Sequence, residues 1–153
     1  MISIKKANLQ DIDWMVKLSY QKRTNYQNAK PDFWKMATDS NEVQSEYFSN
    51  IINDDSYIAL VCDCKTAFII GNIIQPPKVY NSGLTLMIDD FCIENNCKWD
   101  IHGRNLLDEI IKIAKSRDIS QIIAVSGDHD IEKNLFLEKH GLICMSRWYS
   151  KRI

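Results

Sequence analysis

The chain has 153 residues, of which 45% are hydrophobic and 25% charged, with 19 Lys and Arg against 20 Asp and Glu. One domain's worth of polypeptide excludes a multidomain machine, and the composition excludes disorder and collagen-like repeats. A net charge of −1 provides no global field that would favour nucleic acid or an anionic membrane.

Ser3 to Lys6 reads as a short strand, and Asn8-Leu9-Gln10-Asp11 as a helix start. Ile12, Met15, Val16 and Ser19 follow at helical spacing. Gln21 to Asp39 is polar and aromatic and holds Pro31. It has no sustained period, so a loop with about one helical turn is expected there. Ser40 or Asn41 caps the next helix, whose face is Val43, Tyr47, Phe48, Ile51 and Ile52.

Ser56 to Cys62 and Thr66 to Ile74 are β-rich runs joined by a turn near Asp63-Cys64-Lys65, a hairpin that Pro76-Pro77 closes. Leu84 to Glu94 is a further strand, Ile101 to Arg117 a helix, and Gln121 to Val125 a short strand. Asp130 to His140 is a helix closed by Gly141, and Leu142 to Ser150 a last strand. The order β-α-α-β-β-β-α-β-α-β implies an α/β (α+β) protein, with a mixed, mostly antiparallel central sheet and helices on both faces.

No basic stretch followed by a long apolar run opens the chain, and the longest apolar run, Ala67 to Ile74, is too short for a bilayer. A cytoplasmic protein without a membrane partner is expected. Free thiols in a reducing compartment suit the five cysteines. Cys62-x-Cys64 would need two more ligands to hold zinc, and no C-x-x-C or H-x-x-x-H accompanies it. Small buried hydrophobes on a strand end, and no metal, are the expectation. No P-loop, H-E-x-x-H or G-x-S-x-G motif occurs. No basic run interleaved with aromatics supports nucleic-acid binding either.

Several fragments, taken in order, resemble the GNAT superfamily of acetyl-CoA-dependent N-acetyltransferases. They are Ile4-Lys5-Lys6-Ala7-Asn8-Leu9-Gln10-Asp11, Met87-Ile88-Asp89-Asp90-Phe91-Cys92-Ile93, Gly103-Arg104-Asn105-Leu106-Leu107 and Phe136-Leu137-Glu138-Lys139-His140-Gly141-Leu142. The resemblance spans essentially the whole chain and implies one GNAT-like domain over 1–153. It implies acetyl-CoA as co-substrate and a small-molecule or peptide amine as acceptor, and it allows a homodimer.

Through that resemblance the backbone of Phe91, Cys92 and Ile93 would bind the pantetheine arm. The pyrophosphate turn would fall on Lys98, Trp99, Asp100, Ile101, His102, Gly103 and Arg104. Only Gly103 keeps the family's glycine; Ile101 replaces the first one, where a close backbone approach is needed. Asp100 is a good N-cap for a helix from Ile101, and its carboxylate would occupy amides that a phosphate needs.

Asp89 resembles the first acid of an acidic pair in polyamine acetyltransferases, which suggests a general base, with Asp90 shaping the cleft or making a structural ion pair. Strand alternation would send their side chains to opposite faces, so at most one would reach the acceptor side. The family's general-acid tyrosine falls at Leu137 and is missing; His129, Tyr149 and Cys92 are the nearby replacements. His129 lies in a turn that Asp128 or Asp130 also suits as a helix cap, and Asp130 falls where the family often has a CoA-contacting Asn. Arg23, Tyr26, Phe33, Trp34 and Tyr80 are candidates for lining the acceptor site, or for packing under a loop. A GNAT-fold binding module that has lost catalysis is the alternative.

Overall fold

The computed structural model describes residues 2–95 and 98–153. Cys97, one of the five thiols, lies outside them. Five strands form one sheet in the order β1 (Ile4–Lys6), β2 (Tyr57–Cys62), β3 (Ala67–Ile74), β4 (Thr85–Ile93) and β5 (Gln121–Ala124). Every neighbouring pair is antiparallel except β4 and β5, which run parallel through a helical crossover.

Period-two alternation divides the apolar side chains between two cores. Ile58, Leu60 and Cys62 of β2 face one side, where they pack with α3 (Arg104–Ser116) and α4 (Ile131–Lys139). Ala59 and Val61 face the other side, against α1 (Ile12–Ala29) and α2 (Ser40–Ile51). The expected mixed sheet with helices on both faces is what the chain forms.

The first helix start is as expected. Asn8 accepts the Gln10 N–H at 2.9 Å, and the buried Asp11 carboxylate accepts the Asn8 N–H at 3.1 Å, so each group satisfies an orphan donor. Ser40 begins α2 and does not cap it; Asp39 precedes it without a side-chain cap bond.

Two segments differ from expectation. Helix α1 continues to Ala29, well into the stretch expected to be a loop. Its inner face past Leu18 carries the polar side chains Ser19, Lys22 and Tyr26 at helical spacing, and these line a cleft. An apolar period cannot report such a face. At the other end, Leu142 to Ser150 forms no strand. Gly141, at φ +84°, turns the chain away from α4, and Leu142 returns one bond to Leu137. Beyond it Ile143, Met145, Trp148 and Tyr149 are exposed, and the Arg152 guanidinium donates to the Asp32 carbonyl at 2.9 Å. β-favouring side chains do not make a strand without a hydrogen-bonded neighbour.

Candidate active site

The β3–β4 ladder carries a bulge. Ile70 pairs with Asp90 but Gly71 pairs with Ile88, which leaves Asp89 as the extra residue. The extra residue resets the alternation of β4. Leu86, Ile88, Phe91 and Ile93 belong to the α3/α4 core, and Cys92 belongs to the other. Both acids therefore turn to the α1/α2 side, where both line one cavity of about 370 Å³. The expectation that only one could reach the acceptor side is corrected, because strict alternation does not survive a bulge.

Helix α1 and the segment after it supply the facing wall of this cavity. Lys22, Arg23, Tyr26, Phe33 and Trp34 all line it, together with Lys35 and Met36. Trp34 packs edge-on against Tyr26 and Phe33 at ring separations of 5.4 and 4.6 Å, forming an aromatic corner. The Arg23 guanidinium is already engaged: it donates to the Ser40 carbonyl at 2.9 Å and to Asn41 Oδ1 at 3.0 Å, which ties α2 to α1. Tyr80 lies in an exposed turn and does not line the cavity. It is removed from the expected wall because Pro76-Pro77 lead the chain out of the sheet before it returns as β4.

The two carboxylates have different surroundings. Lys22 Nζ lies 3.5 Å from Asp90 Oδ1, and both side chains are largely buried. Burial alone would lower the Lys22 pKa, but Cys92, Asp90 and Tyr26 together outweigh it and hold the ammonium charged, above its usual value. Asp89 has no ion pair or side-chain hydrogen bond among the described residues. Burial, and then the charge of Asp90, push its pKa above the ordinary carboxylate value, with Lys22 opposing them.

Beside this cavity the sheet stops pairing. The β4–β5 ladder covers Thr85–Ile88 against Gln121–Ala124, and a last bond joins the Val125 N–H to the Ile88 carbonyl at 3.1 Å. The Glu94 N–H donates to the Thr66 carbonyl on the β3 side. Alternation then turns the backbone groups of Phe91 and Ile93 towards the gap.

The β5 side of the gap is held by the protein's own side chains. Lys133, fully buried on α4, donates to the Val125 carbonyl at 2.9 Å. Burial, and then Lys22, pull its pKa down to about 7. The Tyr26 phenol accepts the Gly127 N–H at 3.1 Å and lies 3.4 Å from Asp130 Oδ2. Burial raises the Tyr26 pKa, so the phenol stays protonated at neutral pH.

His129 packs edge-on against Tyr26 at 4.5 Å with neither ring nitrogen hydrogen-bonded, and it does not line the cavity. Tyr149 is exposed in the tail, and Leu137 is core. Cys92 is buried, and burial pushes its thiol up to about 11. Lys22 and Lys133 escaped the sequence reading because a lone lysine carries no pattern. Only Lys22's spacing from Tyr26 pointed to one face.

Trp99–Gly103 forms a π-helical turn that leads into α3. Asp100 does not cap it: its carboxylate is exposed and pairs with Lys139 at 2.6 Å. Lys98, at the start of the turn, makes no side-chain cap bond, and Gly103, which precedes α3, has no side chain to make one, so the expected obstruction of the amides by Asp100 is corrected. The pull of Lys139 on α4 draws the acid outward. Ile101 is also exposed. At Gly103 a Cβ would meet Trp99 at 2.8 Å, Ile93 at 3.1 Å and Phe136 at 3.2 Å; tight packing explains this glycine. Arg104 is exposed and pairs with Asp108 at 3.6 Å.

No family model and no curated protein sequence matches the chain. Solved structures do match across its length. A substituted variant of the BH1408 protein from Bacillus halodurans is 17% identical, with a TM-score of 0.86 over 99% of each chain. A predicted acetyltransferase with acetyl-CoA from Clostridium acetobutylicum is 18% identical, with a TM-score of 0.73 over 99% of this chain and 96% of that one. The aminoglycoside 6'-N-acetyltransferase of Acinetobacter baumannii is 10% identical, with a TM-score of 0.74 over 100% and 99%. With its parted β4 and β5, its bulged β4 and these neighbours, the chain has the GNAT acyltransferase fold.

Proposed function

We propose that the chain is an acetyl-CoA-dependent N-acetyltransferase that modifies a primary amine of a small molecule or peptide by direct transfer. The observation that carries this reading is the bulge, which brings an ion-paired and an unpaired carboxylate into one aromatic-walled cavity beside a gap in the sheet. Asp90 is neutralised by Lys22, so Asp89 is the acid left to attract a cationic acceptor. Its raised pKa makes it a better proton acceptor than an ordinary carboxylate. Asp89 takes the proton from the amine, directly or through a water, and the nitrogen bonds the thioester carbonyl carbon. The C–S bond then breaks and the thiolate leaves. Tyr26, still protonated, is the donor assigned to that thiolate, and His129 supports its ring.

The backbone of Phe91 and Ile93, with Cys92 between them, is the side of the gap assigned to the pantetheine arm. The turn from Lys98 to Arg104, free of side-chain caps, is assigned to the pyrophosphate, with the Lys98 charge beside it. Asp130 acts through Tyr26. The expected setting is the cytoplasm, where the thiols stay reduced. The expected assembly is a homodimer using the exposed apolar tail and the free edge of β5, where Ile123 and Val125 are also exposed.

A second reading, a GNAT-fold binding module without catalysis, is favoured by one observation: Lys133 and Tyr26 already satisfy backbone groups on the β5 side of the gap. Calorimetric titration with acetyl-CoA and thermal melting with CoA separate the two, since a ligand of the native state raises the melting midpoint by mass action. Saturable binding, with turnover on a panel of amines that Asp89→Asn abolishes, supports the enzyme. An unshifted midpoint near millimolar CoA supports the module, and unchanged turnover in Asp89→Asn discards the role of Asp89.

A further inference from the structure

The strand end that carries the C-x-C pair meets the turn before α3. Cys62 is buried at the end of β2, Cys64 is exposed in the hairpin turn, and His102 is buried in the π-helical turn. Their ligand atoms all lie within 4.8 Å of one another. Cys64 Sγ is 2.8 Å from Cys62 Sγ and 3.5 Å from His102 Nδ1. The Thr66 hydroxyl lies 3.0 Å from Cys64 Sγ and 3.1 Å from the same ring nitrogen. The Thr66 backbone N–H donates to Cys62 Sγ at 3.3 Å, the kind of outer contact that steadies a thiolate ligand.

We propose that Cys62, Cys64 and His102 form a zinc site, with its fourth position open to solvent beside the Thr66 hydroxyl. Two thiolates and one imidazole are the donor set of a borderline-soft divalent ion. A tetrahedral ion with Zn–S of ~2.3 Å and Zn–N of ~2.0 Å spans about 3.5 Å from sulfur to nitrogen and about 3.8 Å between sulfurs. The Cys64–His102 edge already has that length, and rotation of the exposed Cys64 thiol opens the other. A Cys62–Cys64 disulfide would use two of the three groups and leave His102 on the Thr66 hydroxyl alone. The ion would tie the β2–β3 turn to the turn leading into α3, which are far apart in sequence. This inference does not depend on acetyl transfer.

The test uses the full chain, reduced and stripped with a chelator, and titrated anaerobically with Co2+. The expected result is one equivalent bound, with thiolate-to-metal charge transfer and the intense visible bands of tetrahedral coordination, both bleached by Zn2+. Cys64→Ser and His102→Gln each weaken Zn2+ binding by at least about tenfold in competition with a chromophoric chelator, and Cys144→Ser leaves it unchanged. Zn2+ raises the melting midpoint of the parent chain. Absence of Co2+ uptake, uptake without sulfur charge transfer, or equal affinity in Cys64→Ser overturns the site. Because Cys64 is exposed, that variant keeps the fold.

Discussion

Asp89 and Asp90 are adjacent and chemically identical, yet only one of them has a cation. Lys22 reaches Asp90, which leaves Asp89 partly buried and beside a like charge. For Asp89 as the base, activity requires its ionised form. Its raised pKa places the acid limb of the rate profile above the ordinary carboxylate range, with activity falling as pH drops through that limb. Asp89→Asn lowers kcat by about 10²–10⁴-fold and removes the limb, as a pH series of initial rates would show.

Lys133 gives a second pH signature, one of stability. An unfolded lysine holds its proton below 10.5, whereas Lys133 in the native chain holds it only below about 7. Between these values the unfolded state binds more protons, so this residue makes the native state more stable as pH rises through that window. Urea midpoints at the two ends of the window, compared between parent and Lys133→Met, isolate the effect: the rise attributable to Lys133 disappears in the variant.

Among the elements, α3 is positioned by what precedes it. The π-helical turn brings Trp99 under Gly103, against Phe91 and Phe136 at 4.9 and 5.0 Å between rings. Gly103→Ala would drive a methyl into Trp99 and its neighbours, and overpacking of that kind costs about 1–3 kcal/mol. Urea denaturation would read it. A neutral result would mean that the turn yields, and the assigned phosphate-facing amides would then lack a rigid seat. Helix α1 shows the converse case. Its first half was legible because Ile12, Met15 and Leu18 enter the core, and its second half was not, because the inner face there carries the polar side chains of Lys22 and Tyr26, which line a cleft.

Over the whole molecule, the sheet ends at β5 with one edge unpaired, and an apolar tail runs from Leu142 without a strand partner. A chain truncated after Gly141 is expected to run as a monomer in sedimentation velocity, with the full chain as a dimer. Equal sedimentation of the two forms, allowing for mass, would remove the tail from the assembly. No helix among the described residues is long and apolar enough to cross a membrane.

Alternation and helical period determined the five strands of the sheet, three of the four helices and the two-sided core, because burial on a regular element leaves a regular trace in the sequence, but they also implied a strand over Leu142 to Ser150 that does not form. The resemblance singled out the acids of β4 and the aromatics Tyr26, Phe33 and Trp34, and the fold brings these to one cavity. Tertiary structure decided the rest. One extra residue at a bulge turns both carboxylates the same way. An ion pair with Lys139 removes Asp100 from its cap, and His102 arrives beside two cysteines almost forty positions away. These are pairings between distant segments, and the chain order of residues carries no record of which distant groups will meet.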